Sequence, residues 1–206
     1  MQRILFVVVG LSACSGGVSR AALVSELTQE ERESLCEEHA LQESVLEACG
    51  APIPVRVGPL APEVCARVWL PEGCSATVGA FQDCQAALAA DPCGIQQGAA
   101  ACAPLEACGV HVWSAALGLE GSLPLTSMGV PEIEAVCAVS SDYEPFSVEC
   151  EEVTYDFDPM PELCESFGFG GCGTLGQILD CQRDLVSWGD ALCDGSPPSC
   201  EFTDCG

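Results

Sequence analysis

Apolar and polar positions follow a helical period over much of the chain. After Thr77, apolar side chains stand at Val78, Phe81, Cys84 and Leu88, a spacing that stacks them on one helix face. After Thr174 the same spacing recurs at Leu175, Ile178, Cys181 and Leu185. Both threonines sit where an N-cap belongs. Cys84 and Cys181 are therefore expected to face inward and tie their helices to the rest of the fold. Thr28-Gln29-Glu30-Glu31 reads as a capping box, with Thr28 as N-cap and Glu31 three residues on. Leu35, Leu41, Val45 and Leu46 then predict an apolar face on a helix that stops at Gly50, because Pro52 and Pro54 oppose continuation. Residues 51–62 are Pro-rich and predict a loop, and residues 147–155 predict a short strand. The pattern as a whole predicts a mainly α fold.

The start of the chain has a different pattern. Met1-Gln2-Arg3 is a short basic opening, and residues 4–11 are apolar throughout. Eight residues are too few to span a bilayer, which takes about 20, but they suit the apolar core of an export signal. Leu11-Ser12-Ala13-Cys14 follows, and this resembles the lipobox of bacterial lipoproteins. The resemblance implies that the Cys14 thiol takes diacylglycerol and that the signal is cut between Ala13 and Cys14. It also implies that the new amino group can be acylated, as with palmitate. The alternative is an ordinary secretory signal cut after Ala21. Ser15, rather than Asp, after the cysteine implies the outer membrane by analogy with enteric bacteria. Ser15-Gly16-Gly17-Val18-Ser19 reads as a flexible tether.

The chain holds 17 cysteines in 206 residues, a density that suggests a disulfide scaffold. Setting Cys14 aside leaves an even number, and export leads into an oxidising compartment. The remainder form two ordered sets. The first is Cys36, Cys49, Cys65, Cys74, Cys84, Cys93, Cys102 and Cys108; the second is Cys137, Cys150, Cys164, Cys172, Cys181, Cys193, Cys200 and Cys205. Corresponding members lie 97 to 101 residues apart. The residues between them agree too. Residues 77–85 and 174–182 share Thr, Gly, Asp, Cys and Gln at matching places, and Pro62-Glu63-Val64-Cys65 matches Pro161-Glu162-Leu163-Cys164. The expected fold is thus two tandem copies of one small, disulfide-rich helical module with eight cysteines. The expected division is a signal peptide over 1–13, the lipidated Cys14 and tether over 14–25, a first module over 26–122 and a second over 123–206. Eight cysteines allow 105 pairings per module, and the spacing selects none of them.

Charge narrows the partners. With 31 acidic against 6 basic residues the formal charge is −25, and all six cations are Arg. Nucleic acid is excluded as a partner, because phosphate binding needs clustered cations. The membrane is expected to be met through the N-terminal lipid alone, leaving an unidentified envelope protein or a divalent cation as further partners.

Candidate chemistry is sparse. No Cys-x-x-Cys occurs, which argues against zinc knuckles and thiol redox catalysis. The two histidines, His39 and His111, have no counterpart in the second copy, and each reads as a solvated or packing residue rather than a base. Asp83 and Asp180 recur beside a cysteine and read as structural hydrogen-bonding acids. Asp142, Glu144, Asp156 and Asp158 offer oxygen ligands for calcium, but no EF-hand or nonapeptide pattern is present. Trp69, Trp113 and Trp188 read as core residues rather than a sugar platform. The glycine-rich run at 167–171 has no downstream Lys and is no phosphate loop. No catalytic residue, cofactor or metal site is expected.

The Thr-Val-Gly-x-Phe-x-Asp-Cys-Gln run at 77–85, its copy at 174–182 and the lipobox together resemble the predicted cysteine-rich lipoproteins of myxobacteria. That resemblance covers nearly the whole chain and implies no activity. The expected function is a non-catalytic, lipid-anchored, acidic envelope protein with a binding or structural role. The alternatives are a ligand- or calcium-binding envelope receptor domain and a carboxylate-dependent envelope hydrolase.

Overall fold

A computed structural model describes residues 18–42, 45–47, 49, 55–141, 146–150, 153–157 and 173–188. In chain order the helices are α1 (Gln29–His39), α2 (Pro62–Trp69), α3 (Val78–Ala90), α4 (Gly94–Gln97), α5 (Ala103–Glu106), α6 (Val112–Ala116), α7 (Val130–Ser141) and α8 (Leu175–Trp188). Single 3-10 turns at Val24–Glu26 and Leu125–Ser127 precede α1 and α7. Two antiparallel strand pairs accompany them: β1 (Val45–Glu47) with β2 (Val55–Val57), and β3 (Phe146–Cys150) with β4 (Val153–Phe157). The described fold is mainly helical.

Local chemistry accounts for the helix starts. The Thr28 hydroxyl accepts the Glu31 backbone N–H at 3.2 Å, and the Glu31 carboxylate accepts the Thr28 N–H at 2.8 Å. Those bonds hold the Glu31 carboxyl below its ordinary pKa, the backbone contact contributing most. Thr77 accepts from the Ala80 N–H at 3.2 Å, and Thr174 stands likewise before α8. Pro62 opens α2 at a position where its missing N–H costs nothing.

The core gathers on α3. Val78, Phe81, Cys84 and Leu88 are all fully buried, as their spacing predicts. Trp69 and Trp113 are buried as well. In α8, Leu175 and Leu179 are fully buried and Cys181 is inward. Leu179 adds to the predicted stripe, and Ile178 packs at its edge.

Two expectations fail. The helix beginning at Thr28 ends at His39, well short of Gly50. Gln42 turns back on its end, its side-chain amide donating to the carbonyls of Glu37 and Ala40. The chain then extends, so Val45 and Leu46 lie in β1 opposite Val57 and Arg56. The predicted loop over 51–62 accordingly contains β2, whose Val55 and Val57 are buried. The strand expected near 147–155 is a hairpin, β3–β4.

Both halves of the described chain begin with the same device. Ahead of α1, the carbonyls of Arg20 and Ala22 accept from Gly79 and Val78, and Leu23 bridges Thr77. Ahead of α7, the carbonyls of Gly121 and Leu123 accept from Gly176 and Leu175, and Pro124 bridges Thr174. The glycine of each Thr-x-Gly run permits this approach. A Cβ on Gly79 would stand 3.0 Å from the Arg20 oxygen, and one on Gly176 would stand 3.1 Å from the Gly121 oxygen. The chain thus joins the fold before residue 25, and Val24 is fully buried.

Candidate functional site

Four disulfides fasten the first half: Cys36–Cys65, Cys49–Cys93, Cys74–Cys108 and Cys84–Cys102. Their order along the chain is first with third, second with sixth, fourth with eighth and fifth with seventh. Cys36–Cys65 joins α1 to α2, and Cys84–Cys102 pins the middle of α3 to the 3-10 turn at Ala100–Cys102. Cys49, just after β1, is held to Cys93 at the start of α4. Cys137 and Cys181 are disulfide-bonded as well. Cys14, Cys164, Cys172, Cys193, Cys200 and Cys205 lie outside the described residues, and Cys150 is described as part of β3.

The two recurring aspartates do the same work with different partners. Asp83 meets the guanidinium of Arg20 at 2.6 Å, and Arg20 also donates to the side-chain amide oxygen of Gln82 at 2.7 Å. Asp180 meets His111 at 3.1 Å and Arg183 at 2.8 Å. Residue 121 takes in the second half the place that Arg20 takes in the first, and it is glycine. A Cβ there would collide with the Cβ of His111. His111, carried by the first half, therefore occupies the space that the Arg20 side chain fills on α3.

His111 is also the N-cap of α6. Its Nδ1 lies 3.2 Å from the Ser114 N–H and 2.7 Å from the Ser114 hydroxyl. A backbone N–H only donates, so Nδ1 is the acceptor. The ring proton is then on Nε2 and is donated to Asp180. Burial pushes the Asp180 carboxyl up. The His111 hydrogen bond and the Arg183 charge outweigh it and leave this group below the ordinary aspartate value. Burial pulls the Arg183 guanidinium down, but its bonds to Asp184 and Asp180 leave it above the usual arginine range.

Ser114, His111 and Asp180 form the string found in acyl-transfer enzymes, yet its parts are occupied. Ser114 has no exposed surface. The imidazole nitrogen facing it already accepts the N–H that starts α6. A nucleophile must reach substrate and its base must be free to take the proton. Sequence reasoning saw His111 and Asp180 separately and missed their meeting. The signal was available in the sequence, where Gly121 stands ahead of Thr174 as Arg20 stands ahead of Thr77.

Beside this joint a cavity of about 380 Å³ is lined by Ile95, Glu106, Trp113, His111, Asp180 and Arg183, among others. A groove of about 420 Å³ lies between α3 and the end of α1. His39 opens onto that groove. Among the described residues no three His, Cys, Asp or Glu side chains converge as metal ligands. Asp142, Glu144, Asp158 and the run at 167–171 lie outside the described residues, as do the side chains of Asp156 and Trp188. No described helix is long and apolar enough to cross a membrane.

The fold and its sulfur chemistry define the class: a mainly helical protein cross-linked by disulfides. No protein-family model, curated protein or solved structure matches the chain.

Proposed function

We propose that the chain is a non-catalytic, lipid-anchored protein of the bacterial cell envelope. It is built from two tandem copies of one eight-cysteine helical module and presents an acidic surface for binding or structure. The observation that carries the reading is the shared clamp: each half lays its lead-in segment over a Thr-x-Gly helix start and gives the following Asp an N–H donor, Arg20 for Asp83 and His111 for Asp180. Element order supports the duplication, since 3-10 turn, helix, strand pair and capped helix occur in that order in both halves. The roles of His111, Asp83 and Asp180 favour scaffolding over catalysis, because each is used in a cap or a clamp.

Anchoring through Cys14 rests on the lipobox and on the even cysteine count left without it. Two or three acyl chains give stable anchoring, whereas one is marginal. The test is metabolic palmitate labelling of the full chain beside a Cys14→Ser variant. The expected result is label and membrane partition in the parent and neither in the variant. Equal labelling of both overturns the anchor.

A further inference from the structure

The chain enters the fold at a fixed point. Val18 packs against the core, and the Arg20 carbonyl accepts the Gly79 N–H at 2.8 Å where α3 begins. The Ala22 carbonyl accepts from Val78 at 2.9 Å, and the Arg20 guanidinium holds Asp83 one turn further on. A cut after Ala21 would remove Arg20 and both of its bonds. Residues 18–22 thus act as part of the fold, and the tether expected over 14–25 shortens to 14–17.

That length limits how the first half can sit. Val18 is the fourth residue after Cys14, and a chain extends at most about 3.6 Å per residue. Whatever the path between them, Val18 lies within about 14 Å of Cys14. A diacylglycerol on Cys14 would hold that residue at the headgroup layer. A small domain is about 30 Å across. Turning the far side of the first half to the bilayer would carry the entry point about twice as far as the tether reaches.

The surface around the entry point suits that placement. A shallow recess there is lined by Arg20, Ala80, Asp83, Ala100 and Pro104, among others. Arg20 and Asp83 are both largely exposed and offset one another. The lining therefore carries no net charge, in a chain whose total is −25. Anionic headgroups repel an acidic face, and this face gives them no excess charge to repel.

We propose that the Arg20–Asp83 face of the first half lies against the lipid headgroups. The proposal rests on anchoring through Cys14 and adds which surface the anchor brings to the bilayer.

The test uses the full, lipidated chain with isotope-labelled alanine methyls. It is placed in nanodiscs of phosphatidylethanolamine and phosphatidylglycerol, some headgroups of which carry a gadolinium chelate. As the chelate is raised, the NMR signals of Ala21, Ala80, Ala100 and Ala101 are expected to be lost before those of the other alanines. A Gly-Ser insertion between Gly17 and Val18, long enough to reach across the first half, is expected to abolish that order. The insertion precedes every contact named above, so it leaves the clamp intact. Loss that is level across the alanines, or earliest elsewhere, in a chain that stays on the discs overturns this proposal alone. So does an unchanged order in the lengthened chain. A chain that does not associate with the discs overturns the anchor, and the orientation with it.

Discussion

His111 Nε2 donates to Asp180 Oδ1 across 3.1 Å, and Asp180 stands on α8 where Asp83 stands on α3. The first aspartate is served by Arg20 from its own lead-in strand. The second is served by His111 from the preceding half and by Arg183 from its own helix. One exchange decides between the two arrangements. Arg at the lead-in position covers the helix face, and Gly leaves it open for a neighbour.

Gly121→Ala places a methyl against the His111 Cβ and is expected to cost about 1–3 kcal/mol, the range of overpacking in a close-packed contact. Ser122→Ala, at the neighbouring exposed position, is expected to fall within about 0.5 kcal/mol of the parent. Urea midpoints of both variants, with slopes compared, check the difference.

Two substitutions separate the roles of His111. Alanine removes the cap of α6 and the partner of Asp180 together, and is expected to cost about 1–2 kcal/mol. Asparagine can still accept from Ser114 and restores the cap, so His111→Asn is expected to recover part of that loss. A loss with asparagine equal to that with alanine would assign the whole effect to the Asp180 contact.

Acid is expected to loosen the joint. Asp180 holds its proton less firmly in the folded chain than in the unfolded one, because His111 and Arg183 favour the carboxylate. Its contribution is therefore complete above the ordinary aspartate value of about 3.9 and is lost as pH falls through the depressed folded value. Denaturation midpoints measured from about pH 6 down to about pH 3 are expected to fall more steeply for the parent than for Asp180→Asn. Parallel profiles would show that another carboxylate governs the acid response.

The pairing order of the first half makes a definite prediction for the second. Transposed by cysteine order alone, it joins Cys137 to Cys164, Cys150 to Cys193, Cys172 to Cys205 and Cys181 to Cys200. Mass spectrometry of peptides from unreduced protein reads these links directly. A link between a cysteine of the first set and one of the second would break the two-module description. Replacing both Cys84 and Cys102 by Ala, which removes the bridge across α3, is expected to cost about 2–5 kcal/mol.

Sequence alone settled what depends on neighbours a few residues apart. Thr28 with Glu31, and Thr77 before Val78, state helix starts because a cap acts within a single turn. The spacing of Val78, Phe81, Cys84 and Leu88 states a buried face because helix geometry is regular. What required the tertiary structure depends on groups far apart in the chain. The helix from Thr28 ends at His39 because Gln42 closes it and β2 then draws Val45 and Leu46 into a strand. Which cysteines pair follows from which helices touch. That His111 finds Asp180, 69 residues away, follows from how the two halves meet, and only the absence of a side chain at Gly121 makes the room.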